Sequence, residues 1–490
     1  MQKKDQSGRR NFIKINLLLG SGLLLGNSMS AKGSETKSLK TKADKIIFPA
    51  DFVFGVSTSA YQIEGAFNVD GKGESIWDRW TNYEDGVAIN GNNACNHYYQ
   101  WKEDVELLKQ LGVKAYRFSI AWTRIFPQGV GSPNYKGVEF YRNLISELVK
   151  NKITPIVTLY HWDLPQALQD NGGWASKETV DAYVQYATFM FKEFGDLVQI
   201  WTTFNEPWVT AFPGYAYGDM APGISDMTTA IIVTHHLLLS HGRAVSELRK
   251  INPKSQIGIT LDFPQYKAAS PGEENLQTEK ILSQSHFDWF AKPIFHGQYP
   301  EEILELYLKE YKSLRNFPDT EMKEISQSID YLAINYYNTD YIEYQANNWK
   351  PYNAKVLDKK GKMYLVQTFS PQGLLDNLKY IHKTYKPAGI FITENGYNND
   401  HDRVNLNGKV MDQSRIDYVY LHLAACKEAL ELGIPLKAYC YWAFIDNYEF
   451  SRKGYSRMGL VHVDFETYKR TIKESGYWFA KGIKSGFQIE

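Results

Sequence analysis

The sequence has little cysteine, no excess charge of either sign and no apolar run long enough to span a membrane. Three cysteines in 490 residues (Cys95, Cys426 and Cys440) cannot build a disulfide scaffold or a four-thiolate zinc site. Lysine plus arginine total 55 against 55 for aspartate plus glutamate, so no basic face marks a nucleic-acid partner. No glycine-rich phosphate turn follows the first strand-like run, and no GxxxxGK[ST] motif occurs, which weighs against an open nucleotide-binding sheet. Internal repeats and coiled-coil heptads are absent too. What is abundant is aromatic: 12 Trp, 34 Tyr and 25 Phe fit either a large core or a pocket that stacks flat apolar faces.

Residues 1–30 read as an export signal. Lys3, Lys4, Arg9, Arg10 and Lys14 are basic, Ile15 to Leu25 is apolar, and Ser28, Ser30 and Ala31 are small enough for cleavage. About 11 apolar-type positions fall short of the roughly 20 a membrane span needs. Gly8-Arg9-Arg10-Asn11-Phe12-Ile13-Lys14 has the twin-arginine form, which predicts a periplasmic or secreted bacterial protein without stable membrane association. Removing five cations and Asp5 leaves a mildly acidic remainder. Residues 31–44 are polar and aperiodic, a linker, so the folded domain is expected over 45–490.

Beyond the linker, short β-branched or aromatic runs alternate with amphipathic segments. The runs are Phe52–Ser59, Ala115–Trp122, Thr154–Trp162, Val198–Pro207, Gln256–Phe263, Asp330–Tyr337, Gly389–Tyr397 and Leu436–Asp446. Tyr98, Trp101, Val105, Leu108 and Leu111 form one helical face stopped by Gly112, and similar faces run from Val138 to Leu148 and from Val180 to Phe194. Eight strands alternating with helices predict an α/β protein, a single (β/α)8 barrel with long βα loops.

Chemistry in such a barrel sits at the C-terminal strand ends. Those ends carry Gln62, Arg117 with Trp122, His161-Trp162, Asn205-Glu206, Asn335 with Tyr337, Glu394-Asn395, and Trp442 with Glu449. Glu206 and Glu394 each close an apolar strand, where an unpartnered carboxylate is costly to bury. Strands three apart in a ring can face two carboxyls across the barrel mouth. That suits glycoside cleavage, in which one group protonates the leaving oxygen and the other attacks the anomeric carbon.

TFNEP (203–207), ITENG (392–396), HWDLPQAL (161–168), YRFSIAWTRIFP (116–127), FGVSTSAYQIEGA (54–66), INYY (334–337) and WAFIDNYEF (442–450) together resemble glycoside hydrolase family 1. The resemblance runs from residue 48 to about 480. It implies a retaining β-glycosidase needing no metal or cofactor, with a small-molecule β-glycoside as its partner; nothing in the sequence sets an oligomeric state. Glu206 matches the family's acid/base and Glu394 its nucleophile. Gln62, His161, Asn205, Trp442 and Glu449 match the residues that hold the glycone, with Trp162 and Phe450 as further substrate contacts. Arg117, Asn335 and Tyr337 match the group that orients the nucleophile, Asn335 and Tyr337 also lying within reach of substrate. Arg117 and Tyr337 are expected to keep Glu394 ionised, and the charge of Glu394 to raise the pKa of Glu206.

One departure concerns Phe450, where the family has Trp after Glu. Phe450 keeps a flat wall but lacks the indole N–H, so glucose selectivity is expected to be loosened. β-Glucosidase is the leading reading. β-Galactosidase, β-fucosidase and β-mannosidase are the alternatives within the fold, and a silent sugar-binding barrel is the alternative outside it. Retention of Glu449 argues against phosphorylated sugars, with Lys453 read as a solvated loop lysine, and retention of Glu206 argues against thioglucosides. His235, His236 and His241 lack metal-ligand spacing and are read as helix packing. Cys426 and Cys440 are read as buried thiols.

Overall fold

The computed structural model describes residues 48–83, 89–357 and 370–487. The expected signal and linker lie outside these residues. Eight parallel strands close into a barrel: β1 Val53–Ser57, β2 Ala115–Ser119, β3 Thr154–Tyr160, β4 Ile200–Asn205, β5 Gln256–Asp262, β6 Tyr331–Asn335, β7 Ile390–Glu394 and β8 Leu436–Trp442. Each strand bonds to its sequence neighbours, and β8 bonds back to β1 with Val53 opposite Ala438 and Ser57 opposite Trp442.

The strand period of two explains how the interior is layered. Ala115, Ile156, Ala333, Phe391 and Cys440 belong to one apolar cluster that plugs the lower barrel. Two residues further along the same strands come Arg117, Thr158, Asn335, Thr393 and Trp442, all buried. The interior therefore changes from apolar to hydrogen-bonding as it rises toward the C-terminal ends. Register shifts interrupt the ladders between Thr202 and Asn205 and between Ile392 and Glu394. Such irregularities re-aim side chains, and here they fall beside the two candidate glutamates.

The helices bury their apolar stripes on the outside of the barrel. Lys177–Phe194 covers it with Val180, Tyr183, Ala187, Met190 and Phe191. His97–Leu111 ends at Gly112, whose φ of 67° is the left-handed conformation a glycine stop supplies. Its buried face differs from the expected one: Tyr98 and Trp101 are half-buried, whereas His97 and Asp104 are buried. Burial of that pair is tolerable because His97 Nδ1 meets Asp104 Oδ2 at 2.7 Å and Arg470 donates to both Asp104 oxygens at 2.9 Å.

All eight barrel strands end earlier than their apolar runs. The second stops at Ser119, and Trp122 opens a short helix instead of a strand end. Its ring stacks on Tyr186 and its indole donates to Gly129 O at 3.0 Å, so Trp122 is core and not part of the barrel mouth. Long loops build small sheets above the barrel. Gln265–Ala268, Thr339–Tyr344 and Ala354–Val356 form one, and Asn447–Glu449 pairs with Gly454–Ser456 in another.

Candidate active site

Glu394 ends β7 and is buried. Arg117 Nη1 donates to its Oε1 at 2.5 Å, and the Tyr337 hydroxyl donates to Oε2 at 2.7 Å. Burial pushes the Glu394 carboxyl upward, and the Arg117 charge and the Tyr337 hydrogen bond pull it back. Arg117 and Tyr337 sit on Glu394 where expected, and burial is the larger influence, leaving the net direction upward. Two residues on, a Cβ at Gly396 would lie 1.7 Å from Trp442 O, so only glycine lets the β7 and β8 ends approach this closely.

Glu206 follows β4 in a left-handed backbone conformation, φ 46° and ψ 66°, directly before the helix Pro207–Ala211. A non-glycine residue pays for such a conformation, and its N–H is fixed by Thr260 O at 2.9 Å. Among the described residues, no cation bonds its carboxyl in the way Arg117 bonds Glu394. Oε1 accepts from Asn335 Nδ2 at 2.6 Å. Burial first, then the charges of Glu394 and Asp262, push the Glu206 pKa well above the carboxylate range. Asn335 was expected beside Glu394, but its amide serves Glu206 and Asn205, while its oxygen accepts from Thr393 Oγ1 at 2.8 Å. Asn335 lies opposite Glu394 in the β6–β7 ladder, yet its side chain points inward across the barrel.

Asn205 orients the next group. Its Oδ1 accepts from Arg117 Nη2 at 2.5 Å and from Asn335 Nδ2 at 3.1 Å, so its amide nitrogen faces His161 Nε2 at 3.2 Å. Nε2 therefore accepts, which assigns the ring proton to Nδ1. Among the described residues that buried Nδ1 has no partner. Burial and the Arg117 charge hold the imidazole well below its usual pKa, so the ring is neutral.

Gln62, His161, Trp162, Glu206, Asn335, Tyr337, Glu394, Trp442, Glu449 and Phe450 line one continuous cavity, with Arg117 and Asn205 directly behind it. Gln62 Oε1 accepts from Ser59 Oγ at 2.6 Å, and its amide donates to Tyr448 O at 2.7 Å. Trp162 donates its indole N–H to Asn205 O at 3.0 Å. Phe450 stacks on Tyr61 and lies 4.4 Å from Trp77 and 4.8 Å from Trp162, ring centre to ring centre. Burial raises the Glu449 pKa, opposed by Ser451, whose hydroxyl donates to Oε1 at 2.8 Å.

An ionic cluster braces the loop that carries Glu449. Lys473 Nζ donates to Asp402 at 2.7 Å and Asp446 at 2.8 Å, Arg457 to Asp446 at 2.9 Å, and Arg415 to Asp402 and Asp412. The outer cavity holds residues that reading the strand ends missed. Trp208, Val209, Met220, Trp349 and Val356 make its apolar side, and Asp262, His286 and Tyr266 its polar side. Asp262 was legible as the end of the fifth strand, the one end passed over. His286 lies in the helical segment Gln284–Asp288 and Trp349 in a turn, and neither carries a local signal.

The three histidines of the helix Met227–Ile251 pack as expected: His235 against Tyr299 and Glu321, His236 on Trp174 O, His241 on Thr203. Cys95, Cys426 and Cys440 are buried free thiols. Lys453 lies over the Trp80 ring rather than in the cavity.

The family model described as glycosyl hydrolase family 1 matches residues 44–487. A protein named beta-glucosidase A from Acetivibrio thermocellus is 43% identical, covering 90% of this chain and 99% of its own length. The solved family 1 β-glucosidase from Thermotoga maritima superposes with a TM-score of 0.85 at 39% identity, over 91% of this chain and 99% of that one. The same Thermotoga protein in complex with deoxynojirimycin gives 0.85 at 39% identity, over 91% and 100%.

Proposed function

The chain belongs to glycosyl hydrolase family 1, and from that premise we propose that it is a retaining β-glucosidase, releasing terminal non-reducing β-D-glucosyl residues from oligosaccharides or aryl glycosides. The observation that carries the mechanism is the unequal setting of two buried carboxyls. Glu394 has a guanidinium and a phenol donating to it, whereas Glu206 has a neutral amide and two neighbouring carboxylates. Of the pair, Glu206 holds the proton and Glu394 the charge.

In the first step a Glu394 oxygen bonds to the anomeric carbon as the bond to the leaving oxygen breaks, and Glu206 gives that oxygen its proton. In the second, water attacks the anomeric carbon, Glu206 takes a proton from it, and the bond to Glu394 breaks. Two inversions return the β configuration. As Glu394 loses its charge in the first step, the Coulomb push on Glu206 falls, which suits Glu206 to act next as base. The Nδ1–H of His161 and the carboxylate of Glu449 supply a donor and an acceptor for sugar hydroxyls, Gln62 lines the same cavity, and Trp442 gives a flat face.

Leaving-group dependence and azide rescue test the two roles. Glu394→Gln is expected to abolish turnover of every glycoside. Glu206→Gln is expected to retain the first step on dinitrophenyl glucoside and to yield β-glucosyl azide when azide is added. Identical responses in the two variants would overturn the assignment. A panel of nitrophenyl glucoside, galactoside, fucoside and mannoside ranks the glycone.

Export is part of the same proposal. The basic and apolar segment of residues 1–30 and the polar stretch 31–44 support a cleaved twin-arginine signal and linker before a catalytic domain at 45–490, and a periplasmic or secreted enzyme.

A further inference from the structure

Asp262 is the last residue of β5 and lines the cavity, yet the two-step mechanism assigns it nothing. It lies opposite Asn335 in the β5–β6 ladder, and Asn335 is the residue whose amide bonds Glu206. Two residues earlier, Thr260 accepts the Glu206 N–H. Asp262 is thus built into the same strands that fix Glu206.

Its carboxylate is held by His286. Nε2 meets Asp262 Oδ2 in a short hydrogen bond, and Nδ1 meets the Tyr266 hydroxyl at 2.9 Å. Each ring nitrogen is thus engaged, Nε2 by Asp262 and Nδ1 by Tyr266, which fixes the plane of the imidazole. The imidazole also stacks on Trp208, with ring centres 3.9 Å apart and planes 15° apart. Trp208 is two residues beyond Glu206, so His286 ties Asp262 to the helix that Glu206 opens.

We propose that the Asp262–His286 pair is a positioning element for Glu206, placing a second fixed negative charge beside its carboxyl on the side of the cavity where the leaving group departs. The inference rests on the assignment of Glu206 as acid/base. Among the described residues, Glu394 from β7, Asp262 from β5 and Arg117 from β2 act on Glu206 by charge, Tyr337 after β6 lies within their reach, and His161 and His286 line the same cavity. Burial and the carboxylates keep the Tyr337 phenol protonated, and burial keeps His161 neutral. Arg117 is engaged by Glu394. When Glu394 is neutralised in the glycosyl-enzyme, Asp262 is the carboxylate that still acts on Glu206, which tunes the second step as well as the first. Consistent with this placement, Asp262 follows burial and Glu394 among the causes that raise the Glu206 pKa.

The test is the pH profile of kcat/KM on nitrophenyl β-glucoside, whose alkaline limb reports the acid of the free enzyme. Asp262→Asn is expected to move that limb to lower pH by about 0.5–1 unit, because a lost like charge eases deprotonation of Glu206. Asp262→Glu is expected to restore it. His286→Gln frees the carboxylate and is expected to shift the limb in the same direction by less, with no further shift when added to Asp262→Asn. An unmoved limb in Asp262→Asn, with kcat/KM lowered equally at every pH, would overturn the proposal. So would shifts from the two single variants that simply add. If Asp262→Asn does not fold, an unmoved limb in His286→Gln overturns it. Azide rescue of Glu206→Gln remains a separate readout, so loss of the Glu206 assignment is distinguishable from loss of the Asp262 role.

Discussion

The Tyr337 hydroxyl donates to Glu394 Oε2 at 2.7 Å, and among the described residues it is the one neutral donor on a carboxylate otherwise held by Arg117. Burial and the adjacent carboxylates push Tyr337 ionisation far above the phenol range, so it stays a donor at any working pH. Tyr337→Phe is expected to lower kcat/KM about 10- to 100-fold, the worth of roughly 1.5–3 kcal/mol for a hydrogen bond to a charged group. Losing a bond to the ionised form also raises the Glu394 pKa. The acid limb of the profile is therefore expected to move to higher pH, while the alkaline limb stays.

The buried cluster at Lys473 gives a stability prediction. Burial pushes the Asp446 carboxyl up, but Lys473 and Arg457 more than offset it and hold it below the ordinary range. A depressed folded pKa stabilises the native state above the unfolded pKa, and that stabilisation is lost as pH falls through the folded value. Lys473→Met leaves Asp402 and Asp446 each short of a buried partner. It is expected to cost about 3–5 kcal/mol in denaturant unfolding and to move acid unfolding to higher pH. An unchanged unfolding midpoint would show that Arg415 and Arg457 suffice.

Phe450 lines the cavity as its sequence position suggested, and its ring is packed against Tyr61, Trp77 and Trp162 and is only 1% exposed. Phe450→Trp is expected to overpack this cage, at a cost of about 1–3 kcal/mol, and to lower kcat/KM on glucoside, galactoside and fucoside alike. Changed ratios among the three would instead show that the indole reaches a sugar hydroxyl.

Export is checked in cells. Replacing Arg9 and Arg10 with lysine is expected to leave unprocessed precursor in the cytoplasm, read by fractionation and precursor size. Unchanged processing would favour the general secretory route.

The eight strands, their order and the two glutamates were legible in the sequence because each depends on local pattern. Apolar runs of strand length alternate with helical stripes, and a carboxyl after such a run marks the C-terminal end of a strand. The lower plug and the hydrogen-bonding layer above it follow from the same period of two, as Ala115 and Arg117 or Phe391 and Thr393 illustrate. Trp122 misled because an apolar run continued past the point where the ladder ended at Ser119. Partnerships were decided only by the tertiary structure. Asn335 and Glu206 are 129 residues apart, and nothing local reveals that the amide crosses to Glu206 instead of serving its ladder neighbour Glu394. Asp262 and His286 meet because the helical segment Gln284–Asp288 packs at the end of β5, where the Trp208 face receives the imidazole. Closure of the barrel sets those distances, and distance and burial in turn determine which of two chemically identical carboxyls keeps its proton.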